Sequence, residues 1–127
     1  EGSEELMARI VHLAMRVEDI DKASEFYSEV FGFKRVTVPG LRETVRYLTD
    51  GTVHIAINKI RRDKNEQPAI DHFGVEVESI DRCIAEVSKF GCKVVSEPGK
   101  VVKFCAPGGI IVEAVPAGTK PGIGDGG

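Results

Sequence analysis

The sequence predicts a single α+β domain built from two copies of one strand–helix–strands unit. The stretches "HLAMRVEDID" (His12 to Asp21) and "HFGVEVESID" (His72 to Asp81) both open with His, carry Val at the sixth position and end in Ile-Asp. Further along, "GFKRVTVPG" and "GCKVVSEPG" share Gly, Lys, Val, Pro and Gly without a gap. So many matches in the same order indicate an internal repeat, which organises the whole chain.

Length and composition suit one ordinary globular core. The chain has 127 residues, of which 42% are hydrophobic and 29% charged. The net charge is −3 and no block rich in Lys and Arg occurs, so neither nucleic acid nor a membrane surface is an expected partner. The three cysteines are odd in number and include no Cys-x-x-Cys pair. This pattern favours a reducing compartment, and we expect a cytoplasmic protein.

The repeat also sets the predicted domain boundaries. We expect one domain over residues 8–116, with modules at 8–60 and 68–116 joined by the polar linker "RRDKNEQP". The polar, patternless residues 1–7 are interpreted as a cloning remnant ahead of a native start at Met7. Residues 117–127 are rich in Gly, which predicts a flexible tail.

The first strand of each module shows the two-residue alternation of a strand with one buried face. In the first module the apolar face is formed by Val11, Leu13, Met15 and Val17. The opposite face carries Ile10, His12, Ala14 and Arg16. In the second module the apolar face is formed by Phe73, Val75 and Val77, and the opposite face by His72, Gly74 and Glu76. We expect each apolar face to pack on the helix of its own module.

A helix and further strands follow in each module. The first helix is predicted from a stripe at helical spacing, ending at Gly32, that comprises Ile20, Ala23, Phe26, Tyr27 and Val30. The second helix lies between a Ser79 cap and Gly91, and its stripe comprises Ile80, Cys83, Ile84 and Val87. The remaining strands are expected at roughly 34–38, 43–49 and 52–59, then 93–96, 101–105 and 110–115.

The two histidines therefore lie at equivalent places, on the face turned away from the helices. Each is followed two positions later by a small residue on the same face, Ala14 or Gly74, which leaves room for a ligand. The alternative is that each His is a core residue held by a hydrogen bond. The symmetric repetition favours a shared site over that interpretation.

Two stretches, "HLAMRVEDIDKASEFYSEVFGF" and "FCAPGGIIVEAVP", resemble the vicinal oxygen chelate superfamily over about residues 8–116. That superfamily includes glyoxalase I, methylmalonyl-CoA epimerase, extradiol dioxygenases and bleomycin resistance proteins. The resemblance implies a glyoxalase-like fold, in which two βαβββ modules form a cup of curved sheet around a divalent metal. It also implies that His12, His72 and Glu113 are metal ligands, with Glu113 six residues after Pro107.

A fourth ligand is expected on the last strand of the first module, "TVHIAI". Aligning Ala56 with Ala114 places Ile55 opposite Glu113, whereas a one-residue slip places His54 there. Strand alternation favours His54 on the cup face, because Val53, Ile55 and Ile57 form an apolar face of their own. We therefore expect His54 to be a metal ligand or a catalytic residue.

Imidazole and carboxylate ligands suit Zn, Ni, Co, Mn or Fe(II). The resemblance implies a lyase of the glyoxalase (lactoylglutathione lyase) type, or an epimerase-type isomerase. Such an enzyme acts on a small substrate with adjacent oxygens through a metal-stabilised enediolate. Glu113 and His54 are the expected catalytic residues, with Glu113 alternating between ligand and base. Arg16, Arg46 and Lys103 are weaker candidates for holding a substrate carboxylate, since each also fits a solvated strand end.

Two other functions stay open on the sequence. One is an Fe(II) extradiol-type dioxygenase that uses His12, His72 and Glu113, with His54 as an acid–base residue. The other is a non-catalytic protein that binds and sequesters a drug or another small molecule. For any of the three we expect a homodimer, because one helix per module leaves sheet edges to protect and because members of the superfamily often pair modules across subunits.

Overall fold

The computed structural model describes residues 6–96 and 101–119. The first module contains β1 (Ala8–Val17), α1 (Ile20–Phe31), β2 (Lys34–Arg35), β3 (Val45–Thr49) and β4 (His54–Lys59). A short 3-10 helix, Arg62–Lys64, lies in the linker. The second module contains β5 (Ala69–Val77), α2 (Ile80–Ser88), β6 (Val102–Cys105) and β7 (Ile111–Pro116). Most of the predicted tail lies outside the described residues, as do residues 1–5 of the predicted remnant.

All seven strands form one mixed sheet in the order β2-β3-β4-β1-β5-β7-β6. The modules meet where β1 pairs with β5 in antiparallel fashion. Within the modules, β1 pairs with β4 and β5 with β7, both in parallel. The α+β fold with two repeated modules and an open, curved, glyoxalase-like sheet is therefore confirmed. The strand expected at 93–96 is wrong, since within the described range it contributes only a bridge between Val94 and Phe104.

Both helices begin at the side chains that cap them. Asp19 Oδ1 accepts a hydrogen bond from the backbone N–H of Lys22 at 2.9 Å, and Ser79 Oγ accepts one from Arg82 at 3.1 Å. α1 ends at Gly32, whose φ of 75° is the left-handed conformation that closes many helices. Neither helix in the described ranges is long and apolar enough to cross a membrane.

The packing face of α1 is narrower than its sequence predicts. Ile20, Ala23 and Tyr27 pack with the buried Leu48 and Ile57 of the sheet. Phe26 and Val30 are instead 52% and 58% exposed. A helix that meets a sheet on one side buries only its central stripe, and these two residues lie beyond that stripe. The second helix follows its prediction more closely, because Ile80, Cys83 and Val87 all pack on the sheet.

The face of the sheet opposite the helices carries the site, and strand register sets its layout. One row runs across six strands at the same level and consists of Thr49, His54, His12, Gly74, Glu113 and Lys103. The adjacent row consists of Tyr47, Ala56, Ala14, His72, Ile111 and Cys105. We call this surface the cup face. All three histidines and Glu113 therefore lie within two neighbouring rows.

Two irregularities interrupt the pairing of β1 with β5. The register skips Val11 on β1 and Asp71 on β5. Such bulges bend a strand and redirect the side chains beside them. The first one breaks the predicted alternation at Ile10. This residue pairs with Val75 on the helix side of the sheet, whereas the sequence predicted it on the same face as His12. The second lies directly beside His72.

Gly74 is required by the close approach of His12. A Cβ atom added at Gly74 would lie 2.1 Å from Cε1 of the His12 ring. Two carbon atoms that are not bonded to each other cannot approach so closely, so one of them would have to move. We expect Gly74→Ala to displace the His12 ring and to lower the free energy of unfolding by about 1–3 kcal/mol, as overpacked sites do. Urea unfolding of the metal-free protein measures this cost.

The control is the same substitution in a His12→Ala background. There the clash partner is gone, so Gly74→Ala should cost little, and the two substitutions should couple strongly in a double-mutant cycle. An equal cost in both backgrounds would show that Gly74 serves the backbone rather than His12.

Candidate metal centre

Three side chains from three neighbouring strands converge on the cup face. His12 Nε2 lies 3.1 Å from Glu113 Oε1, and His72 Nε2 lies 3.3 Å from Glu113 Oε2. One potential ligand atom from each residue lies within 4.8 Å of the others. Glu113 is 2% exposed and His72 6%. Two imidazoles and a buried carboxylate thus surround one point in space.

Three polar atoms of these side chains lack the hydrogen bonds that buried polar atoms normally have. His12 Nε2, His72 Nε2 and Glu113 Oε2 are all buried without a hydrogen-bond partner among the described residues. Buried polar groups that remain unpaired call for a specific explanation. Two imidazole nitrogens and a carboxylate oxygen are a donor set that divalent transition metals bind. The residues present therefore fit a divalent metal ion.

His72 is oriented by a residue that the sequence analysis did not identify. Asp71 Oδ2 lies 2.8 Å from His72 Nδ1, and Asp71 also forms an ion pair with Arg16. Adjacent residues of a regular strand point to opposite faces, but the bulge at Asp71 lets both side chains meet. A carboxylate on one ring nitrogen holds the other nitrogen ready to bind a metal. The dipeptide Asp-His alone does not reveal the bulge, so no sequence signal was available.

The buried carboxylate is strongly ionised. Burial opposes the charge of Glu113, but the neighbouring His12 and His72 imidazoles outweigh it and lower the pKa of Glu113 to about 2. Burial also opposes a charge on His72, but its contacts with Glu113 and Asp71 prevail and raise the pKa of His72 above its ordinary value of 6.5. Lys103 Nζ adds a cation 3.6 Å from Glu113 Oε2.

His54 lies on the cup face but outside the convergent group. It is in register with His12 on the adjacent strand, and the three residues whose ligand atoms converge do not include it. Burial, and then the proximity of His12, lower the pKa of His54, so the imidazole is neutral at neutral pH. Within the described chain its ring nitrogens have no hydrogen-bond partner.

The fourth ligand position stays a prediction, and the strand register gives a counterpart of Glu113 that differs from both sequence alignments. Glu113 is in register with Gly74, two residues after His72. The matching position of the first module lies two residues after His12, where Ala14 is in register with Ala56. Ala56, rather than Ile55 or His54, is thus the counterpart of Glu113. Ile55 packs towards α1, as alternation predicted. The counterpart of Glu113 depends on the register between strands that are far apart in sequence. An ungapped alignment of "TVHIAI" does not contain that register.

The weaker candidates separate into two groups. Arg16 and Lys103 line a cavity beside His72. Arg46 instead lies in register with Ile57 on the helix side and pairs with Asp21 at 3.1 Å, so it is away from the site. Tyr47 and Arg42 were not identified from the sequence. Tyr47 is 6% exposed on the cup face, and its hydroxyl contacts the Arg42 guanidinium.

The pKa shifts predict how the stability of the metal-free protein changes with pH. The lowered pKa of Glu113 stabilises the fold above pH 4.5, its ordinary value, and this contribution is lost as pH falls towards 2. The raised pKa of His72 stabilises the fold below pH 6.5 and is lost as pH rises through the folded-state value. Replacing Glu113 by Gln should therefore cost most between pH 4.5 and 6.5, by about 2–3 kcal/mol.

Urea unfolding of wild type and Glu113→Gln from pH 3 to pH 9, with chelator present, measures that difference. Glu29→Gln, an exposed carboxylate on α1, serves as the control and should give a small, nearly constant difference. A Glu113→Gln cost that is the same at every pH would contradict the linkage.

Comparison with known proteins agrees with the fold. The profile of the Glyoxalase/Bleomycin resistance protein/Dioxygenase superfamily matches residues 9–104. A lactoylglutathione lyase of Arabidopsis thaliana is 28% identical in an alignment of length 102, gaps included, that covers 73% of this chain and 36% of the lyase. Human mitochondrial methylmalonyl-CoA epimerase is 27% identical in an alignment of length 133, gaps included, that covers 88% of this chain and 76% of the epimerase.

A solved structure shares the same architecture. The Mn(II)-bound glyoxalase from Novosphingobium aromaticivorans superimposes with a TM-score of 0.66 at 23% identity, covering 87% of this chain and 40% of that one. This chain thus spans well under half the length of that glyoxalase and of the plant lyase. Because the superfamily profile covers about three quarters of the chain and the cup-shaped sheet agrees with it, the chain belongs to the Glyoxalase/Bleomycin resistance protein/Dioxygenase superfamily.

Proposed function

We propose that this protein is a metal-dependent lyase or isomerase that removes a proton beside a carbonyl group in a small substrate with adjacent oxygens. The observation that carries the proposal is the buried Glu113 carboxylate between His12 and His72, with three ligand atoms that lack hydrogen-bond partners. The relatives that are a lactoylglutathione lyase and a methylmalonyl-CoA epimerase support the reaction class.

In this proposal the metal ligands are His12 Nε2, His72 Nε2 and a Glu113 carboxylate oxygen, and the ion is one of Zn, Ni, Co, Mn or Fe(II). When bound, such an ion supplies Lewis acidity towards the substrate carbonyl. Asp71 keeps the His72 ring in the orientation that presents Nε2 to the site. Gly74 keeps space for the His12 ring.

Proton movement is assigned to His54 and Glu113. His54 lies in the row of His12, is partly buried and is neutral at neutral pH, so its free ring nitrogen can accept a proton from a substrate in the cup. Glu113 is already ionised and lies between two imidazoles, so it serves first as a ligand and as a base only when one of its oxygens is released.

A second candidate is an Fe(II) dioxygenase, and one observation favours it. The counterpart of Glu113 in the first module is Ala56, which offers no ligand atom. Two histidines, one carboxylate and open positions form the arrangement of non-haem Fe(II) oxygenases. His54 would then act as an acid–base residue beside bound substrate and oxygen.

The test is proton exchange in metal-loaded protein. Metal-stripped protein is reloaded with each of the five ions and incubated in D₂O with a panel of small α-hydroxy ketones, hemithioacetals and 2-substituted malonyl thioesters. NMR should show deuterium entering the C–H beside the carbonyl for one class. His54→Gln should keep the metal and slow exchange by about 10²–10⁴-fold.

The rival reaction is tested in parallel. Protein reconstituted anaerobically with Fe(II) is mixed with catechols and then with oxygen, and ring cleavage is followed by absorbance. Ring cleavage without proton exchange would replace the lyase or isomerase proposal by the dioxygenase. Neither reaction with any loaded ion would contradict both.

A further inference from the structure

A cavity of about 370 Å³ opens on the cup side, beside His72. One wall comes from the linker between the modules and another from the loop that precedes β3. Its lining carries an excess of positive charge, because five cationic side chains face two carboxylates. The cations are Arg16, Arg42, Lys59, Arg61 and Lys103, and the carboxylates are Glu66 and Asp71.

The two carboxylates are already engaged. Asp71 is paired with Arg16 and with His72, and Glu66 is paired with Arg61 at 3.3 Å. No ion pair within the described ranges involves Arg42 or Lys59. Because Lys103 is paired with Glu113 at 3.6 Å, the excess positive charge of the lining lies on Arg42 and Lys59. Uncompensated cations in a concave site concentrate anions there.

Arg42 is an exposed residue of the cavity lining. Its guanidinium contacts the hydroxyl of Tyr47, whose ring is buried on the cup face and packs with Ala14 and Ala56. These two alanines separate Tyr47 from His72 within one row of the sheet. Arg42 therefore lies near the same surface that holds the candidate metal ligands. A guanidinium binds a carboxylate or phosphate group through two parallel hydrogen bonds.

We propose that Arg42, together with Lys59, is the anion-anchoring residue of this site, so that the substrate is a small molecule carrying a carboxylate or phosphate group. That the anion belongs to the substrate rests on the proposed function. Anion binding itself requires neither metal nor turnover, so it is tested separately.

The experiment is calorimetric titration of the metal-free full chain, at low salt, with malonate in one arm and inorganic phosphate in the other. Omitting the metal prevents chelation by the probe from being mistaken for binding to the cavity. We expect saturation by at least one anion with a Kd of about 1–10 mM. Saturation by malonate alone identifies a carboxylate, by phosphate alone a phosphate, and by both a shared anion site.

Three variants test whether the anion binds at Arg42. Arg42→Gln should weaken it about 10–100-fold, the loss expected for charge-assisted hydrogen bonds. Tyr47→Phe keeps the buried ring and removes only the hydroxyl near Arg42, so it should weaken binding less than Arg42→Gln does. Arg35→Gln, an exposed arginine on β2 outside the cavity, is the matched control and should change nothing.

Absence of saturation by either anion in wild type, or equal affinity in wild type and Arg42→Gln, would overturn the proposal. Retained anion binding in a protein that catalyses no metal-dependent reaction would count against the proposed function and leave the anion subsite standing.

Discussion

The antiparallel pairing of β1 with β5 is the constraint on which the rest of the structure depends. It joins the modules through backbone hydrogen bonds and places His12 opposite Gly74 and His72 opposite Ala14. Each histidine is therefore paired with a small residue of the other module, and the His12 ring lies over Gly74. The parallel pairing of β7 with β5 then brings Glu113 into the same row as His12. A one-residue shift in either pairing would turn a ligand towards the helices.

The cost of burying Glu113 explains why its surroundings are so specific. A buried carboxylate is unfavourable unless opposite charges or donors compensate for the lost water. That compensation comes from three different strands, through His12, His72 and Lys103. The ion pair of Asp71 with Arg16 lies farther from Glu113 and extends this network of charges. Ala56, at the matching position of the first module, needs none of this and packs among apolar side chains. The two modules share one backbone arrangement, but only the second module has a carboxylate at this position.

Much of this arrangement follows from the sequence. The repeat predicted two similar modules, and alternation alone placed His12 and His72 on the face away from the helices. Glu113 came from the resemblance to a family and from its spacing after Pro107. Local pattern could not predict the skipped residues Val11 and Asp71, because a bulge is a property of two paired strands. The counterpart of Glu113 escaped prediction for the same reason. The place of Arg42 in the cavity beside His72 depends on tertiary packing, which a local pattern does not show.

The most direct test of the central claim, that His12, His72 and Glu113 form one metal centre, is the metal content of single variants. Wild type and the His12→Ala, His72→Ala, Glu113→Ala and His54→Ala variants are loaded with each divalent ion, dialysed and analysed for bound metal per chain. The structure predicts about one ion per chain for wild type and for His54→Ala, and a loss of affinity by orders of magnitude for the other three. Wild-type stoichiometry in all of those three variants, or no retained metal in wild type, would contradict the account.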